Sequence, residues 1–259
     1  MAERADGNGR GAAFALDTKV IGHRGAAAYA PENTLAGLRE AGRRGCRWVE
    51  IDVRLTRDGV PVLMHDPALE RTTSGRGELN THDAASVARL DAGGWFGESF
   101  RDEPPPRLEE ALDLLGELGL KVNLEVKPTM GSARAKAEAV GRTLRADRRR
   151  REVVRVISSF SEEILEGLRE LLPEVPRGLL LRRPEGDWPA ALRRLRCASV
   201  HLWHGALEPE VIATARREGV KVLAFTVNSP ERARELFALG VDAVITDVPD
   251  RIAEVAVSQ

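Results

Sequence analysis

The chain is poor in cysteine and in aromatic residues, and it has no marked excess of charge of either sign. Its two cysteines, Cys46 and Cys197, have neither the number nor the spacing of a disulfide framework or a metal site. Aromatic residues make up 4% of the 259 residues, and the formal net charge is -1. A basic surface for nucleic acid or an anionic membrane is therefore not expected. Two isolated cysteines indicate reduced thiols and predict a cytoplasmic protein.

Long apolar runs are absent as well. No run approaches the roughly 18 residues that a membrane-spanning helix needs, and the first residues lack the layout of a signal peptide. Residues 1 to 16 are rich in glycine, alanine and charge, which predicts a disordered tail. Hydrophobic residues form 42% of the chain, as in ordinary globular proteins, and no internal repeat is evident. We therefore predict one domain over residues 17–259.

Short runs rich in β-branched residues alternate with helical segments along most of the chain. Such alternation predicts parallel strands joined by crossover helices. Eight strands with alternating helices in about 250 residues are typical of an α/β protein with the (β/α)8 architecture, the TIM barrel. The predicted strands span 18–23, 47–53, 121–126, 153–158, 177–181, 199–203, 221–227 and 242–246. The predicted helices span 32–45, 107–119, 133–147, 161–172, 187–196, 208–219 and 230–240.

The apolar run at 60–65 breaks the alternation, because it follows the second strand after only a few residues. Asp58 and Gly59 lie between the two runs, and Asp-Gly in that position is a strong hairpin signal. We predict that residues 60–65 pair antiparallel with the second strand through a two-residue turn. That register would place His65 directly opposite Asp52.

A long segment without periodic pattern, residues 66–106, follows this hairpin. It carries many turn-forming residues and ends in a run of prolines. Loops of this length are usually functional or disordered, and Trp95, Phe96 and Phe100 argue against disorder. The segment is therefore predicted to be an insertion that folds over one end of the barrel as a lid or pocket wall.

Charged residues collect at the predicted carboxyl ends of the first strands and of the hairpin. In (β/α)8 barrels the active site lies at this end. Glu50 and Asp52 stand two residues apart within one strand, so both side chains project from the same face. The residues of the group are His23, Arg24, Glu50, Asp52, His65, Glu125 and Lys127.

Two interpretations of Glu50 and Asp52 are open. On an outer face they would be solvated or paired with Arg54 and Arg47. Inside a closed barrel they would be too costly to bury without compensation, and with Glu125 they would form an oxygen-rich site suited to Mg²⁺ or Ca²⁺. The neighbouring histidines and cations then indicate metal-assisted phosphoryl chemistry with acid–base catalysis.

Several stretches together resemble the glycerophosphodiester phosphodiesterase family, most closely its small cytosolic bacterial Ugp-type enzymes. They are GHRGAAAYAPENTLAG, VEIDVRLTRDGVPVLMHDPALERTT, NLEVKP and AFTVNSPERARELFALGVDAVITDVP, and they span nearly all of the chain after the tail. The resemblance implies a TIM barrel of the phospholipase C-like phosphodiesterase type. It also implies hydrolysis of glycerophosphodiesters, such as glycerophosphocholine and glycerophosphoethanolamine, to sn-glycerol 3-phosphate and an alcohol.

The resemblance further implies roles for individual positions. The acid and base histidines correspond to His23 and His65. One divalent cation, with Mg²⁺ favoured and Ca²⁺ as the alternative, is expected on Glu50, Asp52 and Glu125. Contacts with phosphate or substrate are expected from Arg24, Lys127, His201 and Phe225, and support of the site is expected from Glu32 and Asn33. His82 and His204 are predicted to lie on loops without a catalytic role.

Some questions stay open at the level of sequence. Phe225 is as consistent with plain barrel packing as with substrate contact. A lysophospholipase D-type enzyme acting on lipid head groups is the runner-up, and a barrel that binds phosphodiesters without catalysis is a third possibility. The expected partner is a small-molecule substrate, with neither nucleic acid nor membrane insertion, and no oligomeric state is predicted.

Overall fold

In the part of the chain that the structure describes, nine strands form one sheet that closes on itself. The structure is a computed structural model, and it describes residues 14–128 and 131–256. Eight parallel strands make the barrel, which is completed where the first strand pairs with both the second and the last. The predicted (β/α)8 architecture is confirmed. The strands are β1 (Val20–His23), β2 (Trp48–Leu55), β3 (Pro61–Leu63), β4 (Lys121–Val126), β5 (Val154–Ser159), β6 (Arg177–Leu181), β7 (Ser199–Trp203), β8 (Lys221–Phe225) and β9 (Ala243–Thr246).

Helices cover the outside of the barrel, and several begin at a serine, threonine or aspartate whose side chain accepts a hydrogen bond from the first turn. Thr34, Ser161 and Ser229 are examples, and such caps fix where a helix starts. The helices are α1 (Leu35–Arg43), α2 (Ala84–Val87), α3 (Leu108–Glu117), α4 (Ala133–Ala146), α5 (Arg148–Val153), α6 (Glu162–Leu171), α7 (Trp188–Leu195), α8 (Pro209–Arg217), α9 (Pro230–Leu239) and α10 (Pro249–Ala256).

Three of these helices, α2, α5 and α10, are not among the predicted ones. Helices of four to eight residues contain too few turns to show a clear apolar period. The arginine-rich α5 begins at a cap formed by Asp147, and its Arg150 pairs with Asp113 of α3. The arginine run therefore forms a short helix separate from α4.

The inward faces of the strands divide the barrel into an apolar floor and a polar upper layer. Ile21, Trp48, Val156, Leu223 and Ile245 form part of the floor and are almost completely buried. Because side chains alternate along a strand, the next inward residues on β1 and β2 lie above this floor, towards the carboxyl ends. The polar residues of the site occupy that upper position.

The β2–β3 hairpin exists, but its predicted register is wrong by one residue. Val53 lies opposite Leu63, and the amide of Met64 donates to the carbonyl of Asp52 at 3.1 Å. Asp52 is therefore opposite Met64, and His65 lies beyond the end of β3.

The loop between β2 and β3 explains this shift. The amide of Thr56 donates to the carbonyl of Val60 at 3.1 Å, so three residues, 57–59, form the loop. Gly59 has a φ of 76°, as the left-handed last position of a three-residue hairpin loop requires. An Asp-Gly pair fits a two-residue turn equally well, so the sequence does not distinguish the registers.

The insertion at 66–106 packs against the β3 segment around a small core made by Val62, Met64, Leu69, Leu79 and Val87. It contains α2 and two 3-10 helices, at Leu79–Thr81 and Glu98–Phe100. Its aromatic rings stack edge to face in a row, with centroids 5.6 Å apart for Trp95 and Phe96 and 5.5 Å apart for Phe96 and Phe100.

The insertion is also tied to the barrel. The carboxylate of Glu103 accepts a hydrogen bond from the amide of Ala36 at 2.8 Å, in the first turn of α1. The insertion therefore packs beside the carboxyl end of β1, where α1 begins.

Most of the predicted tail, residues 1–13, lies outside the described residues. Phe14 is packed, because its ring meets that of Trp48 edge to face at a centroid distance of 5.9 Å. Packed residues therefore extend into the predicted tail as far as Phe14. Within the described residues, every helix is too short or too polar to cross a bilayer.

Candidate active site

Three carboxylates from neighbouring strands meet inside the barrel at its carboxyl end. Glu50 and Asp52 lie on β2 and Glu125 lies opposite Asp52 on β4, so the sheet register alone brings them together. One oxygen of each lies within 4.8 Å of the others, and all three side chains are buried. The outer-face interpretation is wrong. Arg47 instead pairs with Asp17, and Arg54 donates to the carbonyl of His65.

Burial and mutual repulsion dominate the electrostatics of these carboxyls. Burial, followed by the charges of Asp52 and Glu125, raises the pKa of Glu50 well above its usual value. Burial also raises the pKa of Glu125. Burial acts in the same direction on Asp52, but Lys127 and Arg24 outweigh it and lower the pKa of that carboxyl. The cluster therefore holds more acidic groups than its own cations neutralise.

These residues fit a hard divalent cation. Oε1 of Glu50 is buried and has no hydrogen-bond partner among the described residues, although buried carboxylate oxygens normally have one. Carboxylate oxygens are the ligands that Mg²⁺ and Ca²⁺ prefer. Glu50, Asp52 and Glu125 are thus suited to hold one such ion, as predicted.

Two cations border the carboxylates. Nζ of Lys127 lies 2.7 Å from Oδ1 of Asp52 and 2.5 Å from Oε1 of Glu125. Nε of Arg24 lies 3.2 Å from Oδ2 of Asp52, and its backbone amide donates to Glu50. Both cations are therefore placed at the rim of the acidic cluster, where an anionic group could reach them.

The turn after β1 sets the position of Arg24. Arg24 and Gly25 both have positive φ, 50° and 95°. A Cβ at position 25 would lie 2.7 Å from the carbonyl oxygen of Gly37, so glycine is required for the close approach to α1.

Asn33 contacts the acidic cluster at Asp52, and Glu32 contacts the neighbouring Arg24. Asn33 donates from Nδ2 to Oδ2 of Asp52 at 2.8 Å, and its Oδ1 accepts from the Asp52 amide at 3.0 Å. This reciprocal pair of hydrogen bonds orients the carboxylate of Asp52. Asn33 does not cap α1, because the N-cap residue of that helix is Thr34. Glu32 accepts a hydrogen bond from Nη1 of Arg24 at 2.8 Å.

His23 lies at the end of β1, and its two ring nitrogens face different carboxylates. Its Nδ1 lies 2.6 Å from Oδ1 of Asp247, and its Nε2 lies 3.9 Å from Oε2 of Glu50. Asn228 holds the other oxygen of Asp247 at 2.6 Å. Asp247 was missed at the sequence level, although it directly follows the last strand in ITDVP and so stands at a strand end like the other site residues.

His65 has a matching arrangement. Its Nδ1 lies 2.5 Å from Oδ1 of Asp66, which in turn is held by Arg71 of the insertion. Burial lowers the pKa of His65, and the charge of Asp52 opposes this shift. Arg71 is a second residue that the sequence reasoning missed, since its place depends on how the insertion folds.

The remaining predicted residues lie apart from the acidic cluster. His201 is fully buried in the middle of β7, its Nε2 is 2.9 Å from the hydroxyl of Ser199, and burial lowers its pKa to about 3. Phe225 is half-buried at the end of β8 and packs edge to face on Phe160 at 6.0 Å. His82 bonds the carbonyl of Arg76.

Residues 23–251 match the model of the glycerophosphoryl diester phosphodiesterase family. The chain belongs to this family. It is 33% identical over 238 residues to a glycerophosphodiester phosphodiesterase of Caldanaerobacter subterraneus subsp. tengcongensis, covering 92% of this chain and 97% of that protein. A Bacillus subtilis glycerophosphodiester phosphodiesterase is 30% identical, with coverage of 89% and 84%.

Solved structures of phosphodiesterases share the fold. A phosphodiesterase of Oleispira antarctica, solved with its product sn-glycerol-3-phosphate, has a TM-score of 0.87 and 36% identity, covering 93% of this chain and 97% of that one. The enzyme from Agrobacterium tumefaciens has a TM-score of 0.75 and 31% identity, with coverage of 92% and 99%. This member of the glycerophosphoryl diester phosphodiesterase family is therefore a phosphodiester hydrolase, as the sequence predicted.

Proposed function

We propose that the enzyme hydrolyses glycerophosphodiesters, such as glycerophosphocholine and glycerophosphoethanolamine, to sn-glycerol 3-phosphate and an alcohol. The main support is the cluster of Glu50, Asp52 and Glu125. Beside it lie two histidines, His23 and His65, and each has an aspartate against its Nδ1. The product bound to the Oleispira antarctica relative is sn-glycerol-3-phosphate, which supports the same product here.

His23 and His65 act as the proton-transfer groups in this proposal. A carboxylate on Nδ1 places the ring proton there and leaves Nε2 available to accept or donate a proton. One histidine accepts a proton from the attacking hydroxyl, and the other protonates the oxygen of the leaving alcohol. Water and the substrate's own glycerol hydroxyl, by way of a cyclic phosphate, are both suitable nucleophiles.

Arg24 and Lys127 bind the phosphate. Both are largely buried and remain charged, because the neighbouring carboxylates raise the pKa of each although burial opposes the shift. Glu50, Asp52 and Glu125 would hold a divalent cation, with Mg²⁺ preferred over Ca²⁺, and when bound it would supply further charge neutralisation at the phosphate oxygens.

Other predicted residues have less direct parts. Asn33 and Glu32 orient Asp52 and Arg24 through the hydrogen bonds described above. Phe225 forms an aromatic wall beside the substrate together with Phe160. His201 does not contact the substrate in this proposal, because its ring is fully buried and bonded to Ser199.

The runner-up, a lysophospholipase D-type activity, is favoured by one observation. Trp95 on the insertion and Trp203 at the end of β7 are 44% and 43% exposed, and exposed tryptophans of this kind can contact an acyl chain. Release of choline from lysophosphatidylcholine faster than from glycerophosphocholine would establish this second activity.

The proposal is tested with purified protein and glycerophosphocholine, with release of glycerol 3-phosphate as the readout. We expect turnover that EDTA abolishes and that added Mg²⁺ restores. Turnover unaffected by EDTA would refute the metal site, and tight binding without product would identify a non-catalytic barrel. A cytoplasmic location stays a prediction from the two isolated cysteines.

A further inference from the structure

Arg71 of the insertion connects two carboxylates of the site, Asp66 at the start of the insertion and Glu32 in the loop between β1 and α1. Its Nε and Nη2 bond the two oxygens of Asp66 at 2.5 and 3.0 Å. Its Nη1 and Nη2 bond the two oxygens of Glu32, both at 2.8 Å. One guanidinium thus forms a bidentate contact with each of two carboxylates.

The two carboxylates hold the groups that act on the substrate. Oδ1 of Asp66, which accepts from Arg71, also lies 2.5 Å from Nδ1 of His65. Oε1 of Glu32, which accepts from the same Nη2, also accepts from Nη1 of Arg24 at 2.8 Å. A continuous hydrogen-bonded path therefore runs from the imidazole of His65 through Arg71 to the guanidinium of Arg24.

We infer that Arg71 is a positioning residue that fixes His65 and Arg24 relative to each other. The inference rests on the proposed function, because it assigns His65 to proton transfer and Arg24 to phosphate binding. A proton donor or acceptor and a phosphate contact must be held within a fraction of an ångström of one geometry, and a displacement of about 1 Å costs on the order of 100-fold in rate. The insertion supplies this constraint from outside the barrel.

The contacts require arginine and not merely a positive charge. The planar fork of a guanidinium offers donors in directions that match two carboxylates at once, whereas an ammonium is a single point donor. The side chain of Arg71 is 44% exposed, so its ion pairs contribute little to stability. A role in positioning is therefore separable from a role in folding.

Arg71→Lys is the test variant, and Arg101→Lys is the matched control, since Arg101 lies on the same insertion and, among the described residues, forms an ion pair with Glu98 alone. With glycerophosphocholine as substrate, we expect kcat of Arg71→Lys to fall about 10- to 100-fold, with Tm unchanged. Arg101→Lys should retain the wild-type rate. A kcat of Arg71→Lys within about twofold of the control would overturn the inference.

A double variant distinguishes positioning from an independent effect. If Arg71 acts through Asp66, the loss in Asp66→Asn/Arg71→Lys is much smaller than the product of the two single losses. Losses that multiply would show that Arg71 does not act through Asp66 and would overturn the inference. Absence of glycerol 3-phosphate release by the wild type would instead refute the proposed function.

Discussion

Nδ1 of His23 lies 2.6 Å from Oδ1 of Asp247, although the two residues are 224 positions apart in the chain. The contact joins the end of the first strand to the end of the last. A carboxylate on Nδ1 favours the tautomer with the proton on that nitrogen, and under the proposed function Nε2 is then the nitrogen that faces the substrate.

Asp247→Asn should therefore impair catalysis and leave the fold intact. An amide in place of the carboxylate removes the charge that holds the imidazole and can favour the wrong tautomer. We expect kcat to fall by at least about 100-fold, as for other groups that orient a catalytic histidine. Steady-state kinetics and a thermal melt check both parts, and a near-normal kcat would contradict the assignment of His23.

Glu50→Gln should separate activity from stability. Glu50 is the carboxyl whose charge is most opposed by burial and by its neighbours, so a neutral isostere removes repulsion in the metal-free protein. We expect the metal-free Tm to be equal to or above that of the wild type, with activity lost. Mg²⁺ should raise the Tm of the wild type through binding but not that of Glu50→Gln.

Glu98→Gln is the control for this experiment, because Glu98 is exposed on the insertion and, within the part of the chain that the structure describes, forms an ion pair with Arg101 alone. It should respond to Mg²⁺ like the wild type. An equal Mg²⁺-induced rise in Glu50→Gln would show that Glu50 is not a ligand.

His201 should make the protein less stable in acid. Its pKa is about 3 in the folded protein and near 6.5 when unfolded, so between these values the unfolded chain binds one more proton. Stability from this residue is complete above pH 6.5 and falls by roughly 1.4 kcal/mol for each pH unit below it. Urea unfolding at pH 7, 6 and 5 should show a shallower decline for His201→Gln than for the wild type. His82→Gln, a substitution on the insertion outside the barrel, is the control and should retain the full slope.

Arg177 should contribute to folding and not to catalysis. It is 2% exposed and donates to the carbonyls of Val175 and Leu195, at the end of the barrel opposite the active site. Arg177→Met leaves these buried acceptors without donors, which costs roughly 3 kcal/mol in the free energy of unfolding. Exposed Arg155→Met should cost under about 0.5 kcal/mol. A changed kcat in Arg177→Met at a temperature where it is folded would contradict this division.

The barrel strands and most of the site could be predicted because each depends on local information. A strand is evident from its apolar run, and the architecture then places every strand end at one rim. His23, Glu50, Asp52 and Glu125 were found by this reasoning. The pattern of β2 shows that Glu50 and Asp52 share one face of the strand. Only the closed barrel shows that this face points inward.

The features that were missed depend on distances that sequence does not contain. One extra residue in the β2–β3 loop moved His65 out of register with Asp52. Asp247 and Arg71 became meaningful only as partners of His23 and Asp66, across the closure of the barrel and across the fold of the insertion.

The pairing of β1 with β9 has a consequence for how activity is acquired. A chain that has formed β1 to β8 already contains His23, the site arginines Arg24 and Arg71, and the three clustered carboxylates. Asp247 has not yet been brought against His23, because it follows β9. Helical content can recover before that last pairing, because helices depend on local contacts whereas strand closure joins distant segments. During refolding, return of turnover should therefore follow return of the helical signal, and enzymatic rate becomes a reporter of barrel closure.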